Sequence, residues 1–296
     1  MKNIVIVTGG AGFIGSNLIE KLIKFRKYKI ISLDNYSSGS KKNHINSKNI
    51  EYLIGDTNNS NKILKKYSKN IHTIFHFGEF ARIFQSFKNP NKCFESNIKG
   101  TYEILKFCLE NKIKIIYSAT SANLGNLGKD MNLSPYAFSK AKNLELLENL
   151  KKWFNFKYEV IYFYNVYGKR QICRGDMATV IGVFEDCILN KKKLPVVRPG
   201  SQTRRFTHIE DTVNACLTAW QRNKNAHYSV ASDKSYSIIK VAKMFSSQIK
   251  YLPERPGERF LSVLKFTNLN NKIIRLKASR KLKDYISIFL SKNINV

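Results

Sequence analysis

Ile4-Val-Ile-Val-Thr-Gly-Gly-Ala-Gly-Phe-Ile-Gly15 is the stretch on which the reading of this chain turns. Ile4 to Val7, four consecutive β-branched residues, read as a buried parallel strand. Gly9, Gly10, Gly12 and Gly15 then turn the chain into a helix beginning near Phe13. Glycine is needed in such a turn because its backbone angles exclude a Cβ, and because the main chain has to approach a pyrophosphate above a helix N-terminus. A second apolar run, Lys29-Ile-Ile-Ser-Leu33, ends at Asp34, at the separation where a strand-end carboxylate meets the ribose hydroxyls of an adenosine. Strand, glycine turn, helix and acid together predict a dinucleotide site. The carboxylate would repel a 2′-phosphate, so NAD is favoured over NADP.

Working outward, Ile50 to Ile54 reads as a third strand closed by Gly55-Asp56, and Ile71 to Phe77 as a fourth ending in Gly78. Residues 91–111 carry one long helical pattern, and Ile113 to Tyr117 is a fifth strand with Ser118-Ala-Thr-Ser-Ala at its carboxyl end. A helix follows from Ser134 to about Leu150, with Pro135 suited to its first turn, and then a strand from Glu159 to Tyr164. Strands alternating with helices at this spacing predict an α/β fold, a Rossmann-like doubly wound parallel sheet. Residues 1–165 form the expected dinucleotide-binding domain, with a later segment at about 205–230 returning to it. Residues 166–296, punctuated by Gly175, Pro195, Pro199 and Pro253-Glu-Arg-Pro-Gly257, form the expected smaller substrate domain. Ligands of such sheets bind beyond the carboxyl ends of the strands, which directs the Gly9–Gly15 turn, Asp34, Asp56, Gly78 and Thr120 to one crevice.

At 296 residues, 43% hydrophobic and 24% charged, the chain has the composition of an ordinary globular protein, but its net charge of +30 is extreme. Three readings of that excess stand in descending order: a solvated, compositionally biased surface, attraction of an anionic small molecule, and nucleic-acid binding. The lysines are scattered among Asn and Ile, and Lys191-Lys-Lys193 is the only tight cluster, so a nucleic-acid partner is not expected. Five widely spaced cysteines without a CxxC pair read as buried thiols in a reducing compartment; no metal site is expected. No apolar run approaches the roughly 18 residues of a membrane span, and a cytoplasmic protein is expected.

Tyr136 and Lys140 lie four apart at the start of a helix, on one face. A tyrosine with a pKa of about 10 is a poor base at neutral pH, but an adjacent ammonium stabilises its phenolate. Thr120 can hydrogen-bond the same substrate oxygen.

The chain here resembles the extended short-chain dehydrogenase/reductase superfamily, in its NAD-dependent nucleotide-sugar epimerase/dehydratase branch, of UDP-glucose 4-epimerase-like type. The resemblance is carried by Thr8 to Gly15, Asp34-Asn35, Gly55-Asp56, His76-Phe-Gly-Glu-Phe-Ala81, Asn97-Ile-Lys-Gly-Thr101 and Tyr117-Ser-Ala-Thr-Ser121. Tyr136-Ala-Phe-Ser-Lys140, Tyr164-Asn-Val-Tyr-Gly168, Gly200 to Asp211 and Arg255-Pro-Gly-Glu258 continue it along essentially the whole chain. It implies that Gly9, Gly12 and Gly15 cradle the NAD pyrophosphate with Phe13 and Ile14 donating backbone N–H groups. Asp34 and Asn35 would hold the adenosine ribose and Asp56 the adenine amine, with Phe77 and Gly78 also in the cofactor set. Tyr136 would be the acid/base, Lys140 its pKa partner and nicotinamide-ribose ligand, and Thr120 the partner of the substrate hydroxyl. Asn165, Arg204 and Arg255 match positions that grip the sugar nucleotide's diphosphate, Arg82 lies at the sugar, and Ser262 is a small residue that leaves room for an N-acetyl group. Family members pair as homodimers through two helices, here those at about 91–111 and 134–150.

Within this branch 4,6-dehydratases resemble Thr-Asp-Glu or Thr-Ser-Glu at the strand-end threonine, whereas Thr120 is followed by Ser121 and Ala122. Reversible oxidation at C4, giving epimerisation of a UDP-hexose or UDP-N-acetylhexosamine, is therefore the expected reaction. A 4-keto reductase, a dehydratase whose acid is Glu79, and a non-catalytic NAD(H)-binding protein are the alternatives. Departures from the family pattern bear on the sugar. Glu79 and Arg82 stand where many members are uncharged, which would suit an acidic sugar. Tyr162 replaces a common arginine, Arg205 a common acid and Leu124 a frequent tyrosine, and the segment from Gly125 to Pro135 is short.

Overall fold

The computed structural model describes residues 3–124, 130–257 and 273–293. The first half runs β1 (Ile4–Thr8), α1 (Phe13–Leu22), β2 (Lys29–Asp34), β3 (Ile50–Ile54), α2 (Ser60–Leu64), β4 (Ile71–His76), α3 (Ile83–Lys88), α4 (Pro90–Phe94), α5 (Thr101–Glu110), β5 (Lys114–Thr120), α6 (Pro135–Phe154) and β6 (Tyr158–Phe163). The second half runs β7 (Val166–Tyr167), α7 (Val180–Leu189), β8 (Leu194–Val197), β9 (Thr203–Arg205), β10 (Thr207–His208), α8 (Ile209–Arg222), β11 (His227–Ser229), β12 (Ser235–Ser237), α9 (Ile238–Phe245), β13 (Ile249–Leu252), β14 (Ile273–Arg275) and α10 (Leu282–Asn293).

Eight strands form one parallel sheet in the order β3-β2-β1-β4-β5-β6-β11-β14. Successive side chains of a strand point to opposite faces, and both faces of the central strands are covered, which is why those strands are predominantly apolar. Ile6, Ile74, Ile115 and Val160 pack with Ile104, Leu105 and Leu147 of α5 and α6 on one face. Val5, Val7, Phe75, Ile116 and Ile161 pack with Leu18, Ile19, Val213 and Cys216 of α1 and α8 on the other. A third core, around Phe184, Phe206, Tyr236, Val241, Phe245 and Ile286, is built only from residues beyond β6. The later chain returns to the main sheet twice, through β11 and again through β14, which lies beyond the stretch expected to return.

Strand order reverses between β1 and β4, and the crevice opens there. Gly9 has φ +68°, and a Cβ on it would sit 2.8 Å from the Phe77 carbonyl carbon, so the turns after these two strands touch through glycine.

Two helices differ from their expected form. Residues 91–111 are not one α-helix: a π-helical stretch, Glu95–Gly100, joins α4 to α5. An extra residue in one turn leaves the apolar periodicity nearly intact, so the sequence pattern does not reveal it. α6 begins as expected, with the Ser134 hydroxyl accepting from the Ala137 N–H, but runs on to Phe154 and stops at Asn155 in the left-handed region.

Candidate active site

One cleft at the carboxyl ends of β1, β2, β4, β5 and β6 is lined by Gly9, Gly12, Phe13, Ile14, Gly15, Asp34, Asn35, Asp56, Phe77 and Gly78. The same cleft is lined further along by Glu79, Arg82, Thr120, Tyr136, Lys140, Asn165 and Arg204. Its first group fits a dinucleotide. A Cβ at Gly15 would fall 2.1 Å from the Gly9 carbonyl oxygen, so only glycine allows the turn to close under α1. No side chain caps α1, whose first N–H groups face the cleft for an anion. The Asp34 carboxylate is fixed by the Ala11 N–H at 2.9 Å and the Tyr36 N–H at 2.8 Å, at the end of β2. Burial pushes the Asp34 carboxyl up while these N–H groups hold it down, so a ligand's hydroxyl donors would complete its solvation. Asn35 Nδ2 donates to Asp56 Oδ1 at 2.5 Å, which joins the ends of β2 and β3 on the adenosine side.

The reacting side is organised by β5 and α6. Thr120 ends β5, accepts from the Ala122 N–H at 3.2 Å, and lines the cleft together with Tyr136. Burial raises the Tyr136 hydroxyl to about 12; Thr120 and Arg82 hold it down, and Glu79 and Cys93 add to the rise. Ser121 and Ala122 continue into a short 3₁₀ turn and bring no carboxylate to the threonine.

Lys140 reaches the same wall, where protein groups hold its ammonium. It is ion-paired with Glu79 Oε2, donates to the Ser118 carbonyl at 2.5 Å, and stands 4.6 Å above the Tyr117 ring. Glu79 Oε1 accepts from the Tyr117 hydroxyl at 3.0 Å, Thr101 at 3.1 Å and Asn143 Nδ2 at 3.3 Å. The Glu79 side chain is 2% exposed, and this carboxylate is turned into the protein rather than offered to a sugar. Sequence reasoning missed that inward network because nothing in a string of residues says which way Glu79 points. The signal was present in the quoted motifs: His76, Asn97 and Thr101 all belong to it. His76 bridges Thr8 at 2.8 Å and Thr101 at 2.9 Å, and Asn97 holds the Phe80 main chain through both its amide atoms, at 2.6 and 3.0 Å.

On the substrate side, Arg82 Nε and Nη2 donate to the Met177 carbonyl at 3.0 and 2.5 Å, and Nη1 to the Ala81 carbonyl at 2.8 Å. Asn165, in the left-handed region, ties β6 to β9 by donating to the Arg205 carbonyl at 3.1 Å. Arg204 Nη1 donates to the Thr203 carbonyl at 2.9 Å. Arg255 stacks 4.8 Å above Phe84 of α3 and is not brought to the cleft wall, and Ser262 lies outside the described residues.

A sequence model of the NAD dependent epimerase/dehydratase family matches residues 5–231. A putative UDP-glucose 4-epimerase of Methanocaldococcus jannaschii is 31% identical over 269 residues, spanning 86% of this chain and 87% of that protein. The crystal structure of a UDP-N-acetylglucosamine 4-epimerase from Methanobrevibacter ruminantium, in complex with UDP-N-acetylmuramic acid, superimposes with a TM-score of 0.81 at 29% identity, over 99% of this chain and 100% of that one. A UDP-glucose 4-epimerase from Thermotoga maritima with UDP-glucose gives 0.80 at 26% identity, over 89% and 90%.

Proposed function

This chain belongs to the NAD-dependent epimerase/dehydratase family, and from that premise we propose that it inverts the C4 hydroxyl of a nucleotide-activated sugar, a UDP-hexose or UDP-N-acetylhexosamine. Its cofactor is NAD, which when bound supplies the acceptor and donor for the C4 hydrogen. Tyr136 takes the C4 hydroxyl proton, Thr120 holds that oxygen against it, and Tyr136 returns the proton once the 4-keto sugar has presented its other face. The observation that carries this reading is the absence of a usable second acid among the described residues at the Tyr136–Thr120 pair. Ser121 and Ala122 have no carboxyl group, and Glu79, the acid a dehydratase would need, is committed to Lys140, Tyr117, Thr101 and Asn143. Elimination of water requires an acid and a base beyond the tyrosine. Epimerisation requires neither.

In the same reading Gly9 to Gly15, Asp34, Asn35, Asp56, Phe77 and Gly78 hold NAD, and Arg82, Asn165 and Arg204 face the sugar nucleotide. The division into a cofactor domain of residues 1–165 and a substrate domain of 166–296 is supported by the separate third core. The helices α4 to α6 are proposed as the contact of a homodimer. A cytoplasmic location is supported by five free thiols. Among the described residues no helix is long and apolar enough to cross a membrane.

The test is incubation of the purified protein, without added NAD, with UDP-glucose, UDP-galactose and their N-acetylated counterparts, following the sugar by proton NMR. The C4 epimer appears with wild type, and Tyr136→Phe lowers the rate by roughly 10² to 10⁴. Loss of water from C5 and C6 instead would overturn the assignment.

A further inference from the structure

The charge of +30 is not spread evenly over the fold. Because the main sheet is parallel, the turns that carry the chain from a helix into the next strand all lie along one edge, opposite the cleft. Five of them, α1 to β2, α2 to β4, α5 to β5, α6 to β6 and α8 to β11, span residues 23–28, 65–70, 111–113, 155–157 and 223–226. Their 22 residues hold nine lysines and arginines, all exposed, and no aspartate or glutamate, whereas the whole chain has 51 basic residues in 296. At the cleft edge, the turns leaving β1, β3 and β4 (9–12, 55–59 and 77–82) set one arginine against Asp56 and Glu79. Five helix C-termini meet the basic edge, each presenting about half a negative charge. Nine cations exceed what those ends can neutralise.

Large apolar rings protrude from the same edge. Trp153 and Phe154, the last residues of α6, are 63% and 58% exposed and meet edge to face with ring centroids 6.3 Å apart. They sit within Lys151-Lys-Trp-Phe-Asn-Phe-Lys157. Phe154 lines a groove of about 970 Å³ together with Lys27, Lys112 and Lys157, and among the described residues no carboxylate lines it. Rings and cations therefore form one continuous surface.

We propose that this edge is a docking surface for an anionic lipid bilayer, which the chain touches without crossing. Lysine and arginine near such a surface are drawn to its phosphates, and tryptophan is favoured at the boundary between headgroups and acyl chains, where its ring is apolar and its N–H polar. Charge alone would suit a nucleic acid equally. The exposed rings favour lipid, because an edge-to-face pair lacks the parallel faces on which successive bases stack, whereas acyl chains accept either orientation. Docked by this edge, the protein keeps its cleft turned away from the bilayer and open to sugar nucleotide from solution. Phe138 lies about 22 Å back along α6, so the proposed dimer contact stays free.

The experiment is sedimentation of the full chain with vesicles of phosphatidylcholine alone or with about 30% phosphatidylglycerol, at about 50 mM salt. The protein should pellet with the anionic vesicles and not with the neutral ones, and its tryptophan emission should shift to the blue. Trp153→Phe should abolish the shift and keep the binding, since the other tryptophan, Trp220, is buried. Trp153→Ser with Phe154→Ser, and separately Lys27→Ser, Lys157→Ser and Lys224→Ser together, should weaken binding at least about tenfold without moving the denaturation midpoint. Lys191→Ser, Lys192→Ser and Lys193→Ser together remove three exposed cations from the turn into β8, which belongs to a separate sheet, and should change binding less than about twofold. An equal loss in that control would reduce the effect to net charge and overturn the proposal, as would failure to pellet with anionic vesicles. Tighter binding of a single-stranded oligonucleotide, with quenching of Trp153, would reassign the edge to nucleic acid. A shift from dimer to monomer in Trp153→Ser without vesicles would reassign the rings to a contact between copies.

Discussion

His76 is fully buried between the hydroxyls of Thr8 and Thr101, where burial lowers its pKa to about 4. The unfolded chain returns it to about 6.5, so between those two values the unfolded state binds the extra proton and the folded state does not. Stability from this residue is complete above pH 6.5 and is lost as the pH falls towards 4. Urea titrations over that window should show the unfolding free energy dropping by about 3 kcal/mol more in wild type than in His76→Gln. Equal slopes would mean that His76 does not change its protonation on unfolding in this window. At this scale the sequence was informative wherever the backbone dictates the residue. Gly9 and Gly15 could be read because a Cβ at either would collide with main chain. The ion pair of Lys140 with Glu79 could not be read, because it depends on the packing of Glu79 against Tyr117, Thr101 and Asn143, contacts that join four separate elements.

Strands β1 to β4 were legible because each is an apolar run closed by glycine or an acid, β5 and β6 by their apolar runs alone, and helix α6 because Ser134-Pro135 marks its start. The π-helical stretch between α4 and α5 was not, since one inserted residue hardly alters where the apolar side chains fall. That irregularity places Asn97, fully buried, opposite the Phe80 main chain, at the centre of the segment carrying Glu79 and Arg82. Asn97→Ala leaves the Phe80 N–H and C=O buried without these partners, at about 1–3 kcal/mol for each such group. The expected result is a loss of roughly 2–4 kcal/mol in denaturant unfolding, together with a fall in kcat, because both charges ride on the loosened segment. A stability loss with unchanged kcat would show that this element fixes the fold but not the site.

For the molecule as a whole, the charge of +30 and the dimer proposed for α4 to α6 pull in opposite directions. Phe94 and Phe138 meet edge to face, with ring centroids 6.4 Å apart, yet they are 37% and 39% exposed, so two helices pool their aromatic surface on the outside of the protein. Burying such a pair against a second copy is favourable, and aromatic residues central to an interface carry much of its energy. Two chains each bearing +30 repel, and salt screens that repulsion over about 10 Å at 0.1 M. The dimer should therefore tighten as salt is added, the reverse of an association driven by opposite charges. Light scattering on a sizing column should give twice the 34.2 kDa chain mass, with the dimer fraction rising from 50 to 500 mM salt. Phe94→Lys with Phe138→Lys should shift it to monomer, weakening association at least about tenfold. A monomer at every salt concentration would remove these helices as a contact, and a dimer that dissolves in salt would place the interface on the charged surface instead.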